Sequence, residues 1–367
     1  MVDTQHVDGD LRPGDARHMA RALWHAERGR AGTSPNPVVG AVLVDADDVV
    51  VGVGHHQRAG GPHAEIVALQ AAGVRAQGST LYCTLEPCSH HGRTGPCCVA
   101  VADAGVARAV IATGDPFPQV AGRGIRYLRD RGVAVTIGLG RRDARRQNAP
   151  FFRVVERGRP WVHLKIAMGL DAGIAARPGE RTAISGPDAA RWTQRLRASV
   201  DAIAVGARTA AVDDPLLTAR DVYRHRPLVR VVFDRQLRLS PDANLVRTVG
   251  DGPVVVITTE AGLASPRAAT LRDRGLDLTA TDGTVVDALR VLAARGLQSL
   301  LVEGGATLHA ACWQAGVVDR VSEIVSGCAL GPDAVRWNVP VRPHARATRV
   351  VPLGHDVLID SDVHGID

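Results

Sequence analysis

The sequence predicts an α/β protein built from two domains, and three observations carry that reading. At 367 residues the chain accommodates two domains of ordinary size, about 150 residues each. Short apolar runs rich in Val, Ile and Ala alternate with helical segments along most of its length, the pattern of mostly parallel sheets covered by helices. Between the two alternating sets lies the stretch 140–160, GRRDARRQNAPFFRVVERGRP, charged and without a core period. It predicts a junction, with domains over 1–148 and 149–367.

The elements follow in order. A polar tail runs to about Gly14, and Asp15 is positioned to cap a helix through Arg30 that carries Met19, Leu23 and Ala26 on one face. SPNP at 34–37 ends it. Strands over Val38–Val44 and Val49–Val53 flank a turn at Asp45–Asp48. A Gly-rich loop, Gly54–Pro62, leads to a helix over His63–Ala72. After a strand at Leu81–Leu85 comes a loop rich in Pro, Gly and His up to Cys97, then strands near Ala109–Ala112 and Ala134–Ile137. In the second half, strands are expected near Val162–Ala167, Ala202–Val205, Val229–Phe233, Val254–Ile257, Ser299–Val302 and Val321–Val325, with helices between.

Composition excludes several classes. Apolar residues at 45% and charged residues at 22% are globular values, not those of a disordered or fibrous chain. No run of about 18 apolar residues predicts a membrane span. The opening MVDTQHVDGDLRPGD lacks the apolar core of a secretion signal, so a cytoplasmic protein is expected. The net charge of +6 fits a nucleic acid or a phosphorylated small substrate equally well. Lys165 is the one lysine, so arginine supplies the charge along the whole chain rather than in one arm. Aromatic residues at 3% leave little surface for base stacking, and no nucleic-acid partner is expected. Six cysteines, Cys83, Cys88, Cys97, Cys98, Cys312 and Cys328, are too few and too clustered for a disulfide framework and point to metal binding or catalysis.

The strongest chemical signal is His63-Ala64-Glu65, then Pro87-Cys88, then Cys97. One imidazole and two thiolates make the three-ligand set of a catalytic zinc that keeps a position for water. Glu65, two residues beyond His63, can reach that water without binding the ion, which is the arrangement of zinc deaminases. The eight-residue gap between Cys88 and Cys97 exceeds the usual two, and Cys98 competes with Cys97 as third ligand. A closed structural zinc site with His90 or His91 as fourth ligand is the alternative, and it leaves Glu65 without a task. Cys83 reads as a buried strand cysteine.

Three motifs then carry a resemblance: HAE at 63–65, TLEPCSHHGRTGPC at 84–97 and SPNPVVGAVLV at 34–44, with DPFPQVAGRG at 115–124 in support. Together they resemble the bifunctional deaminase/reductase family of riboflavin biosynthesis over essentially the whole chain. The resemblance implies a cytidine-deaminase-like three-layer domain followed by a dihydrofolate-reductase-like α/β domain. It implies zinc and NADPH as cofactors, a phosphoribosylaminopyrimidine as substrate, and a homodimer or higher homo-oligomer. The substrate is 2,5-diamino-6-(5-phosphoribosylamino)pyrimidin-4-one: the first domain hydrolyses its 2-amino group and the second reduces ribosyl to ribityl. His63, Cys88 and Cys97 resemble the zinc ligands and Glu65 the proton shuttle. Gly95 stands where the family motif has Pro. Asn36, His90 and Arg93 are expected to meet the substrate, although Asn36 between two prolines is equally a turn residue.

In the second half, VEGGATL at 302–308 follows a predicted strand and opens a helix, where glycines and helix N–H groups can receive a phosphate. By resemblance it is the NADPH loop, with Gly304, Gly305, Ala306 and Thr307 toward the cofactor and Glu303 near the substrate. Ala167, Thr209 and Asp213 fall at further cofactor positions, and Arg197, Leu217 and Arg220 at substrate positions; the two arginines suit a ribose phosphate. Departures gather in one region. The family's LDG reads Leu170-Asp171-Ala172, and its Ser and Trp ahead of an ITG-like turn are Arg181 and Ala183. The stretch IVSGCALGPDAVRW also lacks the apolar-Pro-Leu-Leu-Gly-Gly character expected there. They leave a deaminase with an inactive or re-purposed reductase domain as the alternative to the bifunctional enzyme, and a nucleic-acid-editing deaminase as a remote one.

Overall fold

A computed structural model of the chain describes residues 7–30, 32–89, 95–118, 120–341 and 345–364. The chain divides into two compact units between Arg157 and Gly158.

The first unit is built on strands β1 (Gly40–Val44), β2 (Val50–His55), β3 (Thr80–Cys83), β4 (Arg108–Ile111) and β5 (Ala134–Ile137), in the order β2-β1-β3-β4-β5. Its helices are α1 (Asp15–Glu27), α2 (Ala64–Ala72), α3 (Cys97–Asp103), α4 (Arg123–Asp130), α5 (Arg141–Gln147) and α6 (Ala149–Arg157). The β1 strand runs antiparallel to β2 and β3, whereas β3, β4 and β5 are mutually parallel. The tight Asp45–Asp48 turn joins β1 and β2 as an antiparallel hairpin, as expected, and the parallel expectation holds for β3, β4 and β5. Alternate residues fill two cores. Ala41, Leu43, Leu81 and Ile111 face α2, α3 and α4 through Ala68, Val101 and Leu128. Val42, Tyr82 and Val110 face α1 and α5 through Met19, Ala22 and Ala144. Three layers result.

Asp15 is the first residue of α1, not its cap; Gly14 takes that position. The buried Asp15 carboxylate instead accepts hydrogen bonds from Arg108 (2.9 and 2.8 Å) and from the Tyr82 hydroxyl (2.7 Å), tying α1 to the sheet. The stretch after Gly140 belongs to the first unit as α5 and α6, so the boundary falls beyond the expected 148/149 junction. The reason is local: buried Asn148 donates to the Val38 carbonyl (2.9 Å) and accepts from the Val38 N–H (2.8 Å), and Gln147 donates to the Leu23 carbonyl (2.9 Å). Arginines on the outer faces masked this apolar seam.

The second unit contains β6 (Trp161–Met168), β7 (Gly173–Ala175), β8 (Ala202–Gly206), β9 (Val229–Phe233), β10 (Val254–Thr258), β11 (Asp277–Ala280), β12 (Ser299–Glu303), β13 (Arg320–Val325), β14 (Val335–Arg336), β15 (Ala347–Leu353) and β16 (Asp356–Asp362). Nine of them form one sheet, β11-β10-β9-β8-β12-β6-β13-β16-β15, and β7 pairs with β14 apart from it. Pairing is parallel from β11 to β13, as expected, and antiparallel at β16 and β15. Its helices are α7 (Pro187–Ala198), α8 (Ala207–Asp213), α9 (Asn244–Arg247), α10 (Glu260–Leu263), α11 (Pro266–Asp273), α12 (Val285–Ala294) and α13 (Ala306–Gln314). Because β6, β8 and β12 are parallel neighbours, their carboxyl ends open on one edge, the place where open α/β sheets bind ligands. Among the described residues no helix is long and apolar enough to cross a membrane.

Candidate active sites

In the first unit the sequence sets His63 as the residue before α2 and Cys97 as the first residue of α3, with Cys88 in the segment after β3. Gly52 and Gly54 let α2 lie flat on β2: a Cβ at Gly54 would collide with the Ala64 carbonyl oxygen. The helix start thereby delivers His63 to the two thiols. His63 Nδ1 is 3.2 Å from Cys97 Sγ and 3.5 Å from Cys88 Sγ, and the three ligand atoms lie within 4.8 Å of one another. A tetrahedral zinc with ordinary Zn–N and Zn–S bonds separates such atoms by about 3.5 Å, so this donor set fits zinc. The Cys97 N–H also donates to Cys88 Sγ (3.3 Å). Hydrogen bonds from Cys97 and His63 hold the Cys88 thiol down to about 4, a thiolate ready for a metal, while the Cys88 charge and burial push Cys97 upward. Cys98 points elsewhere: it is buried in the apolar core with Val101 and Leu128.

Glu65 is 3% exposed and lines the same cavity as His63 and Cys88. Burial raises its carboxyl to about 7. The cavity measures about 520 Å³, and its wall includes Pro35, Asn36, His56, Asp115, Phe117 and Phe151. Asn36 is a turn residue whose side chain also lines the cavity. Its backbone N–H closes a turn on the Thr33 carbonyl (2.8 Å), and its side-chain amide lies in the cavity, 3.1 Å from His56 Nε2. His56 Nδ1 meets the Pro62 carbonyl (2.9 Å), so it carries the proton and Nε2 accepts from Asn36. The His56 ring stands edge-on to His63 at 5.4 Å. Sequence reasoning missed His56; its one signal was a histidine pair directly after a glycine-rich strand. Glu86 was missed too. Its buried carboxylate accepts from the Gly122 (3.0 Å), Gly124 (3.0 Å) and Ile125 (3.2 Å) N–H groups and so fixes the segment that carries Phe117. His90, His91 and Arg93 lie outside the described residues.

The second unit gathers its charged groups at the carboxyl ends of β6 and β12. Glu303 and Lys165 are cross-strand partners. Arg197, from α7, grips Glu303 with both ends of its fork (2.8 and 2.7 Å) and also donates to the Thr218 carbonyl (2.9 Å). Arg197, expected to suit a ribose phosphate, thus has two of its donors engaged by Glu303. Burial lowers the Lys165 ammonium, against the pull of Glu303. Lys165 and the fully buried His309 are the members of this cluster that sequence reasoning left out of the site. Beyond β12 the chain turns through Gly304 (φ +73°) and Gly305 (φ +70°) into α13. A Cβ at Gly305 would lie 2.9 Å from Thr209 Oγ1, so the glycines and Thr209 form one surface at the start of α13, where Ala306 and Thr307 lie. Asp213 ends α8; burial raises its carboxyl and Arg181 pulls it back down. Leu217 is buried with φ +52°, and Ala167 packs against the cluster of Ala189, Ile324 and Leu358. Arg220 is exposed and anchored through its backbone N–H to Gln194 (2.8 Å).

A zinc-type donor set with a buried carboxylate and, in the same chain, a largely parallel sheet with a glycine turn at its carboxyl edge define a two-domain α/β enzyme. Residues 13–113 match the cytidine and deoxycytidylate deaminase zinc-binding region, and residues 160–359 match the RibD C-terminal domain. The chain is 41% identical to the riboflavin biosynthesis protein RibD of Escherichia coli, over 87% of this chain and 89% of that protein. It is 34% identical to RibD of Aquifex aeolicus, over 95% and 98%. Among solved structures, Acinetobacter baumannii RibD superposes with a TM-score of 0.84 at 33% identity, covering 95% of this chain and 99% of that one. A Thermotoga maritima deaminase/reductase does so with a TM-score of 0.84 at 30% identity and the same coverage. The chain belongs to the RibD family, the bifunctional deaminase/reductases of riboflavin biosynthesis, with a zinc-binding deaminase half and an NADPH-using reductase half.

Proposed function

We propose that the first unit hydrolyses the 2-amino group of 2,5-diamino-6-(5-phosphoribosylamino)pyrimidin-4-one and that the second reduces the ribosyl group of the product to ribityl with NADPH. The observation that carries this reading is the His63, Cys88 and Cys97 triplet within 4.8 Å, with buried Glu65 in the cavity that His63 and Cys88 line. Zinc bound by these three residues supplies a Lewis acid that brings the pKa of a water to about 7. Glu65 then handles the protons. With its carboxyl near 7 it takes a proton from the attacking water and gives it to the ring nitrogen, then takes the proton of the newly added hydroxyl and gives it to the departing amine as the C–N bond breaks, so that water and substrate yield a ring carbonyl and ammonia. Asn36, its amide oriented by His56, offers hydrogen bonds to the pyrimidine edge, and His90 and Arg93 are assigned to the substrate by motif.

In the second unit, Gly304, Gly305, Ala306, Thr307 and Thr209 receive the cofactor phosphate at the start of α13, with Ala167 and Asp213 toward the rest of NADPH. Glu303, Arg197, Leu217 and Arg220 take the substrate, with Lys165 the ammonium facing it. The reading of a re-purposed second domain finds its footing in Arg181, Ala172 and Ala183; the intact Lys165–Glu303–Arg197 cluster favours reduction. A cavity of about 520 Å³ suits a small molecule, and the partner is the substrate, not a nucleic acid. Six free thiols fit a cytoplasmic enzyme, and we assign the chain to a homodimer or larger homo-oligomer by the motif resemblance alone. The test is Glu65→Gln: ammonia release should fall by about 10²-fold or more with zinc content unchanged. Ammonia release at the wild-type rate would remove Glu65 from the reaction.

A further inference from the structure

His309 lies in the first turn and a half of α13, fully buried, and both of its ring nitrogens are engaged. Trp337 Nε1 donates to its Nδ1 (3.1 Å), and its Nε2 lies 3.1 Å from the Val302 carbonyl. An indole N–H can only donate, so Nδ1 accepts and Nε2 carries the proton. The backbone N–H of His309 also donates to the Gly305 carbonyl (3.2 Å). One residue thus holds the chain on both sides of Glu303 and Gly304. Trp337 is anchored in turn: it is 5% exposed, and its backbone N–H donates to the Ala172 carbonyl (3.0 Å). The two rings meet edge-on, with centroids 6.2 Å apart and planes at 83°.

We propose that the Trp337–His309 pair positions the Gly304–Gly305 turn for the cofactor phosphate, a role that rests on the assignment of that turn to NADPH. Two successive glycines at positive φ have little conformational preference of their own. Their shape must come from outside, and His309 is the group that ties the strand before them to the helix after them. Trp337 fixes which nitrogen of His309 can bond Val302. His309 touches neither substrate nor cofactor in this arrangement; it acts through the turn.

The test is NADPH binding to the full-length protein, read by fluorescence, alongside the thermal midpoint and ammonia release by the first unit. Trp337→Phe keeps an aromatic ring, though a smaller one, and deletes the donor, His309→Phe deletes both hydrogen bonds, and His309→Gln keeps one donor and one acceptor. The expected result is a Kd about tenfold weaker for Trp337→Phe and weaker still for His309→Phe. His309→Gln should recover part of the loss, with ammonia release by the first unit close to wild type throughout and the loss of affinity larger than the fall in midpoint accounts for. Wild-type NADPH binding with undiminished affinity in both Phe variants would overturn the positioning role and leave the turn's assignment standing. Affinity lost only in proportion to a fall in midpoint would make the pair structural and overturn the role as well. Failure of the wild-type protein itself to bind NADPH would overturn the assignment of the turn, and the proposal with it.

Discussion

Each thiol around His63 has a separate environment, and the difference decides which is a ligand. Cys97 Sγ faces His63 Nδ1, whereas Cys98, one residue on, is packed among alanines and valines of the core. Cys97→Ser should therefore strip zinc from the purified protein and abolish ammonia release, while Cys98→Ala should keep full zinc occupancy and cost about 1 kcal/mol or so of stability as a small cavity. Metal analysis of the two variants distinguishes them. The triplet and Glu65 were legible in sequence because each chemical task needs a particular residue type at a particular offset. His56 and His309 were not. Their partners, Asn36 and Trp337, come from distant turns, and only the fold brings a donor to the nitrogen concerned.

At the scale of elements, the turn between β6 and β7 explains one departure from the family pattern. Ala172 sits there with φ +59°, the left-handed region, where the family carries glycine. Asp171 braces the turn by accepting from the Gly173 (3.2 Å), Leu330 (3.1 Å) and Gly331 (3.0 Å) N–H groups. A side chain in this conformation costs about 1 kcal/mol, so Ala172→Gly should raise the midpoint of the second unit by roughly 2–4 °C, measured by calorimetry. A lowered midpoint would mean that the alanine methyl contributes more by packing than the backbone loses. Strands with central, apolar runs, such as β6, β8 and β12, were legible because burial on both faces leaves a continuous Val/Ile/Ala signature. The β15–β16 hairpin was not: β15 is largely exposed and contains Pro352, so neither alternation nor propensity marks it. Helices α5 and α6 escaped notice because their outward arginines outweigh a thin apolar seam.

Across the whole molecule, buried histidines add to the acid sensitivity that lowered carboxylates such as Glu303 and Asp360 bring. His163, bonded to Ser322 Oγ (2.8 Å), and His309 are both held down to about 4, chiefly by burial. Their ordinary value is about 6.5, so between these limits the unfolded chain binds protons that the folded chain refuses. Stability is complete above pH about 6.5 and falls as pH drops toward 4, by up to roughly 3 kcal/mol for each histidine. Chemical denaturation of the full chain at pH 7.5 and 4.5 should show the loss. His163→Asn should flatten the dependence, and an unchanged slope in that variant would place the acid sensitivity elsewhere.

Two chemistries reside in one chain, and one experiment reads both. Purified protein is supplied with the diaminopyrimidine ribosyl phosphate and NADPH, and ammonia release and NADPH oxidation are followed separately. The predicted result is both signals, with oxidation dependent on prior release of ammonia, so that Arg181, Ala172 and Ala183 are tolerated variations of a working reductase. Ammonia without oxidation would contradict the account and leave a deaminase joined to a reductase fold that has lost its reaction.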